Sequence, residues 1–388
     1  MHILMLPSWY PQGEGEFHGS FFREQAEALV QAGHQVGVIS VTAASVLDRG
    51  AFRAATALRA APAQENGVTV WRGAALRPIP FAHRLNAQAI ARRWERYFVQ
   101  YVAQHGRPDV LHAHAMNPGG VAAARIAKRH GIPFVVTEHR AESSIEELGS
   151  PRLAALLRNV ACEAAALIAV SPGFASQLSQ VYAPLSWESI PNLLPAQFAE
   201  LEPARQAADP FVFGCVSNLT PMKRVDRLIE AFAEAFGNSP AVQLRIAGDS
   251  EHRSELERVA EQLGLSNVLF VGSVPRQDIA AEFAHYDAFV LPSTAESFGV
   301  VFWEALAAGL PLIATNTDGG RYAVRPETGL LVEIDDHAAL VQALRTMRET
   351  AGQYDRAAIR RISIDEAGAK TFTQRYTEVY RDAIDESH

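Results

Sequence analysis

Short apolar runs alternate with helical patterns along the whole of this 388-residue chain, and that alternation constrains the fold more than any other feature. In the first half, strands are expected at His2–Leu6, Gln35–Val41, Val68–Trp71, Val110–His114, Phe134–Thr137 and Leu167–Val170. Helices fall between them, such as Phe21–Ala32, closed by Gly33, and Val121–His130, closed by Gly131. In the second half the strands are expected at Phe211–Val216, Gln243–Ala247, Val268–Val271, Ala288–Leu291 and Leu312–Ala314. Strands and helices in alternation, joined by short connections, make parallel α/β sheets. Two successive blocks imply two doubly wound, Rossmann-like domains, which also suits the length of the chain.

Pro184, Pro191, Pro195, Pro203 and Pro210 crowd a stretch of little periodicity, which marks a linker between the blocks. The expected organisation is an N-terminal domain over residues 1–185, a linker over 186–210, a C-terminal domain over 211–368 and a last helix over 369–388 returning to the first domain. Phe372, Tyr376, Val379 and Tyr380 form the apolar stripe of that helix. Ligands of open α/β sheets collect at the carboxyl ends of the strands, so a cleft between two facing sheets is the expected site.

Composition narrows the class. Hydrophobic residues at 48% and charged residues at 20% fit a soluble globular protein. Two cysteines, Cys162 and Cys215, each in an apolar segment, rule out a disulfide framework and suggest a reducing cytosol. The start His2-Ile-Leu-Met-Leu-Pro7 is too short for a signal segment and reads as a buried strand. No apolar run approaches the roughly 18 residues of a membrane span. Charge divides unevenly: residues 1–200 carry 17 Lys/Arg against 15 Asp/Glu, and the acidic excess lies in the remainder. From Arg72 to Arg107 there are seven arginines and one acid, Glu95. Within that run Leu85–Val102 reads as an amphipathic helix with Ile90, Trp94, Tyr97, Phe98, Tyr101 and Val102 on one stripe. Core packing with a wet basic back is the plain reading. The sharper reading is contact of the Arg84–Arg96 region with an anionic membrane or a lipid-diphosphate acceptor. Nothing points to nucleic acid.

Chemistry concentrates in Ser-Thr-Ala-Glu296-Ser-Phe-Gly299-Val-Val-Phe-Trp-Glu304, a strand end, a glycine turn and an apolar helix. Eight residues at about 100° each return to within roughly 80° of the starting direction, so Glu296 and Glu304 can face one cleft. Two acceptor-only carboxylates around a helix N-terminus suit a ligand with hydroxyls at both ends and negative charge between them. A nucleotide sugar has that form. Lys223 and Arg224 follow the Phe211–Val216 strand, where cations can neutralise a leaving diphosphate. The loop Pro11-Gln-Gly13-Glu-Gly15-Glu-Phe-His-Gly19-Ser20 precedes a helix, and its glycines allow close backbone approach to an anion. His112 and His114 lie two apart on a strand, but no cysteine or carboxylate stands at ligand spacing, and no Asp-x-Asp occurs. No metal and no other cofactor is expected. His139, at the end of the Phe134–Thr137 strand, points where ligands collect.

With these residues in view, the chain resembles retaining glycosyltransferases of family 4, which have the GT-B fold. The resemblance runs through Gly33-His34-Gln-Val, Asp109-Val-Leu-His-Ala-His114, Val136-Thr-Glu-His139, Val170-Ser171 and Pro191-Asn192. It continues through Lys223-Arg-Val-Asp226-Arg-Leu-Ile-Glu-Ala-Phe, Ala247-Gly248-Asp249, the Glu296–Glu304 segment, Ala308-Gly309-Leu-Pro311, Asp318-Gly319-Gly320 and Gly329-Leu-Leu-Val. It implies a nucleotide diphosphate sugar as donor, with uridine or guanosine as base, and a glycan, glycolipid or lipid-linked hydroxyl as acceptor. The reaction it implies is metal-independent front-face transfer of a hexosyl unit with retained anomeric configuration, in the cytosol or at the inner face of the membrane.

By that resemblance Glu296 binds sugar hydroxyls and Glu304 the ribose diol, while Phe298, Gly299 and Val300 hold sugar and phosphate through their amides. Gly19 is the closest loop amide, Gly15 is second, and Gly248 and Val274 lie on the donor side. His139 orients a hydroxyl or stabilises charge near the reacting sugar, with Gly15, His114 and Asn117 on the acceptor side. Catalytic weight falls on His139, Lys223 and Glu296. The family's usual arginine five residues before the lysine is Asn218 here, so one fixed charge is missing or comes from elsewhere, with Arg224 and Arg321 as candidates. That departure keeps open a catalytically silent nucleotide-sugar-binding or scaffold subunit. A nucleotide-sugar epimerase or phosphorylase on a related fold is the other alternative. The opening Pro7-Ser-Trp-Tyr-Pro11 and Gly19-Ser-Phe-Phe-Arg-Glu-Gln look like family members that build exopolysaccharide or other surface glycans.

Overall fold

A computed structural model describes residues 1–13, 19–45, 62–77, 83–139, 149–199, 201 and 210–387. The chain divides into two compact units, one comprising Met1–Leu193 with Phe372–His388 and the other Leu194–Thr371. Both are α/β with parallel sheets, the architecture expected from the alternation.

The first unit is built on strands β1 (His2–Pro7), β2 (Gln35–Ser45), β3 (Pro62–Glu65), β4 (Val68–Arg77), β5 (Val110–His114), β6 (Phe134–Glu138), β7 (Ala166–Ala169) and β8 (Glu188–Ser189). Their order is β3-β4-β2-β1-β5-β6-β7-β8, and every pairing is parallel except the β3–β4 hairpin. Position explains the sequence of β1. It sits between β2 and β5 with all six residues buried, as a central parallel strand covered on both faces must be. The helix His83–His105 covers β2 and β4. Gly37 and Gly73 make room for it: a Cβ on Gly37 would stand 2.1 Å from the Tyr101 hydroxyl, and one on Gly73 would stand 2.1 Å from the Tyr97 ring. Trp94 Nε1 donates to the Ile39 carbonyl at 2.8 Å. The stripe Ile90, Trp94, Tyr97, Phe98 and Tyr101 is therefore core. Arg92, Arg96, Leu85 and Val99 are exposed on the same helix.

The second unit has strands β9 (Phe211–Val216), β10 (Val242–Ala247), β11 (Val268–Gly272), β12 (Ala288–Leu291), β13 (Leu312–Thr315) and β14 (Gly329–Val332), in the order β11-β10-β9-β12-β13-β14, all parallel. Helix starts carry local caps: Asp336 accepts from Ala339 N, Asp355 from Ala357 N and Ala358 N, and Thr317 from Gly320 N. The Val225–Phe236 helix buries Val225, Leu228, Ile229 and Phe232, an i, i+3, i+4, i+7 face.

Several elements differ from the sequence reading. Strands β2 and β4 run on together to Ser45 and Arg77, because each supplies the other's ladder where the side chains turn small and polar. β3, β8 and β14 are strands the apolar runs do not announce: β3 is a polar edge, β8 is two residues long and β14 starts at a glycine. The proline-rich stretch 186–210 is shared out. Glu188–Ser189 pairs with β7, Leu193 ends the first unit, and Ala196–Ala199 is a short helix of the second, while 200 and 202–209 lie outside the described residues. The last helix, Ala369–Asp385, places Phe372, Tyr376, Tyr380 and Ala383 in the core of the first unit beside Ile3, Val110 and Val135.

Candidate functional site

In the second unit the parallel strands put the loops after β9, β11 and β12 at one edge of the sheet. Thr294 N donates to the Met222 carbonyl at 2.9 Å, tying the loop after β12 to the turn Pro221–Lys223 after β9. That tie brings together two residues 73 apart: Lys223 Nζ lies 2.6 Å from Glu296 Oε1. Ser293 Oγ donates to the same oxygen at 3.0 Å, and Gly319 N donates to the Glu296 carbonyl at 2.7 Å. Gly319 has to be glycine here, since a Cβ would stand 2.6 Å from the Phe298 carbonyl group.

Gly299, at φ 68°, turns the chain into the Val300–Ala307 helix, and a Cβ on it would press 2.4 Å from the Phe302 ring. Its left-handed backbone is the conformation that favours glycine. Phe298 is buried and stacks on Trp303, ring centroids 5.5 Å apart and planes 6° apart, which fixes the segment before the helix. Glu304, 3% exposed, sits in the second turn, and its Oε1 accepts from Arg276 Nη1 at 2.5 Å. Glu296 and Glu304 thus each meet a cation from a loop at the carboxyl edge of the sheet, Lys223 after β9 and Arg276 after β11.

The other donor-side candidates are placed as follows. Asn218 is exposed, with its carbonyl accepting from Thr220 N at 2.6 Å. Arg224, left-handed at φ 50°, directs its guanidinium to Asp335 at 2.5 Å and Asp226 at 3.6 Å. Arg321 bonds Asp318 at 2.5 Å and Asn316 at 2.9 Å. Both arginines offered for the charge missing at 218 are therefore engaged with acids or amides on neighbouring turns. Burial raises the Asp318 carboxyl above its ordinary range, against the pull of Arg321. Gly248 N donates to the Gly272 carbonyl at 2.8 Å, and Val274 is half-buried two residues beyond.

In the first unit Gly19, at φ 82°, precedes the Ser20–Gln31 helix, and its Cα faces Trp9 and Tyr10. Gly15 lies outside the described residues. His112 and His114 share one face of β5, ring centroids 4.0 Å apart. His112 lies between Thr137 Oγ1 at 2.8 Å and the Tyr380 hydroxyl at 2.7 Å, and Thr137 Oγ1 also meets the Tyr376 hydroxyl at 3.0 Å. His114 Nδ1 is 3.0 Å from His139 Nε2, with Phe22 packed on both rings. Glu138, 2% exposed, accepts from His139 N at 2.8 Å and Met116 N at 2.9 Å, so one carboxylate holds the start of the Asn117 loop and His139 together. Among the described residues, no group of three or more His, Cys, Asp or Glu is placed to hold a metal ion.

Burial pushes His112 down to about 3, with the His139 charge a smaller cause, and pushes His114 well below the usual imidazole range. Both rings are neutral in the folded protein near pH 7. Unfolded, they protonate below about pH 6.5. Below that pH the unfolded chain binds more protons, so stability falls on acidification, by at most about 1.4 kcal/mol per pH unit for each ring. For His112 the loss continues down to about pH 3. The urea midpoint is expected to drop from pH 6.5 to 4.5, and less steeply in His112→Asn. Identical slopes in the two proteins would rule out the histidine as a cause.

Arg276, Glu138 and Asp335 escape the sequence reading. The signal for Arg276 was present, a cation four residues past the end of β11 in a sheet whose loops carry the other charges.

Residues 198–361 match the family model of glycosyl transferases group 1, and residues 19–194 match that of glycosyltransferase family 4. The chain belongs to glycosyltransferase family 4. The D-inositol 3-phosphate glycosyltransferase of Kribbella flavida is 30% identical over 285 residues, 65% of this chain and 67% of that one. The GDP-mannose-dependent monoacylated alpha-(1-6)-phosphatidylinositol monomannoside mannosyltransferase of Corynebacterium glutamicum is 36% identical over 140 residues. That match spans 34% of this chain and only 36% of the relative's length. Among solved structures, sucrose-phosphate synthase from Thermosynechococcus elongatus superposes with a TM-score of 0.77 at 20% identity, covering 100% of both chains. HepE from Anabaena, in complex with UDP, gives 0.73 at 20% identity, covering 98% of this chain and 100% of that one. The likeness to these structures shows the fold, which is GT-B. Among the described residues no helix is long and apolar enough to cross a membrane.

Proposed function

We propose that the protein is a retaining hexosyltransferase that moves a sugar from a nucleotide diphosphate donor to a hydroxyl of a glycan, glycolipid or lipid-linked acceptor. The observation that carries this reading is the Lys223–Glu296 pair, 2.6 Å apart, beside the glycine-initiated helix that also holds Glu304. Glu296 takes sugar hydroxyls, Glu304 the ribose diol, and Lys223 faces the diphosphate. The N-terminus of the Val300–Ala307 helix favours negative charge at the same place. Gly248 and Val274 line the donor through backbone, and Asn218 contributes no charge.

In the step itself the bond between the anomeric carbon and the diphosphate oxygen breaks, and the diphosphate takes the electron pair. The acceptor oxygen bonds the same carbon from the same face, and its proton passes to the leaving phosphate. Lys223 and the helix N-terminus stabilise the negative charge that grows on the diphosphate. Glu296 fixes the sugar, and His139 is assigned to orienting a substrate hydroxyl. His114 Nδ1 stands 3.0 Å from His139 Nε2, so a hydrogen on one of these two nitrogens ties the two rings together. The acceptor side is assigned to His114 and Asn117.

The donor is tested by thermal shift with UDP- and GDP-sugars. One class is expected to raise the melting temperature by several degrees at millimolar concentration, and acceptor should then yield a product with the donor's anomeric configuration. No shift with either class, or an inverted product, would overturn the reading. Binding without transfer to any hydroxyl would favour the silent-subunit alternative that Asn218 suggests.

A further inference from the structure

Arg276 has no role in the reaction as described so far, yet its placement ties it to the donor half of the site. It belongs to the loop after β11 and is held at both ends. Its carbonyl accepts from Gln197 Nε2 at 2.8 Å, and its guanidinium reaches Glu304 Oε1 at 2.5 Å. The pair is largely withdrawn from water, with side chains 19% and 4% exposed. An exposed ion pair does little to fix geometry, but a buried guanidinium–carboxylate contact is directional and strong.

A carboxylate offers about four lone-pair directions on two oxygens. To accept from two neighbouring hydroxyls it must stay ionised and stop turning about its last torsion, which is soft and roughly two-fold in glutamate. A donor bound to Oε1 does both. It compensates the charge of a side chain buried in the second turn of a helix, and it sets the carboxylate plane. A lysine would supply the charge without the planar fork.

We propose that Arg276 is a positioning residue for the donor nucleotide, acting through Glu304 to aim its carboxylate at the 2′- and 3′-hydroxyls of the ribose. The proposal rests on the assignment of Glu304 to that diol.

The test is calorimetric, on the full chain, with UDP and GDP and with the 2′,3′-dideoxy form of whichever binds. The wild type should prefer the ribose form by about tenfold or more. Arg276→Ala should weaken the ribose form about tenfold and the dideoxy form by less than about twofold, so the preference collapses. Arg276→Lys should recover part of the lost affinity, and melting curves of both variants confirm that the unit is folded. Equal weakening of both nucleotides would overturn the proposal, because Arg276 would then touch the diphosphate or base, or hold the fold. Unchanged affinity for the ribose form would overturn it as well. Glu304→Gln separates the two layers of the argument. If this variant keeps the full preference for ribose, the assignment of Glu304 to the diol fails, whatever Arg276→Ala does.

Discussion

Lys223→Ala should lower turnover by on the order of 10²- to 10³-fold while the protein stays folded. Two effects combine in that figure. The ammonium is the fixed cation that the loop after β9 brings to Glu296, and Asn218, five residues earlier, has no charge to share the task. Its loss leaves the growing diphosphate charge to the N-terminus of the Val300–Ala307 helix. The second effect is orientation, since Glu296 Oε1 is held between Lys223 Nζ and Ser293 Oγ and would keep only the hydroxyl. Arg224 is next in sequence but points to Asp335 and Asp226, so it should not substitute. Lys223→Arg should restore part of the rate. Steady-state transfer assays with circular dichroism as a fold control decide the matter, and full activity in Lys223→Ala would refute the assignment.

Gly248→Ala should be the most damaging single methyl in the second unit. A Cβ there would stand 1.8 Å from the Ser217 carbonyl oxygen, and the backbone sits at φ 133°, where L side chains are rarely found. Backbone atoms have no rotamer to move into, so the ends of β9 and β10 must separate. The bond from Gly248 N to Gly272 O would be strained with them. Overpacking together with backbone strain points to a loss of about 2–4 kcal/mol. Urea unfolding followed by fluorescence would measure it. A variant as stable as the parent would mean that the two strand ends yield easily. The same geometry gives Gly248 a structural reason to be glycine beside any part in donor binding.

Much of this architecture could be read from sequence because buried parallel strands are continuous apolar runs. His2–Leu6, Phe211–Val216 and Ala288–Leu291 stand out for that reason. What escaped is polar or short: the edge strand Pro62–Glu65, the two residues of β8 and the four-residue, glycine-led β14. The Glu296–Glu304 spacing was visible, and so was Lys223. Their juxtaposition was not, because it depends on a backbone bond between Thr294 and Met222 that no periodicity encodes. Arg276 was passed over for the same reason, since its meaning comes from a carboxylate 28 residues further along. His112 shows the same limit: no metal-ligand spacing surrounds it in the sequence, but nothing there names its neighbours in space, Thr137 and Tyr380, one of them 268 residues away.

That last contact bears on how the molecule is made. The chain leaves the first unit after Leu193 and re-enters it at Phe372, so a ribosome finishes the second unit before the first. Until the final helix emerges, β1, β5 and β6 lack the wall formed by Phe372, Tyr376 and Tyr380, and His112 lacks a hydroxyl. The first half of the polypeptide therefore waits, incompletely sealed, through the synthesis of the second. Its apolar sheet face is the surface a chaperone would meet during that interval.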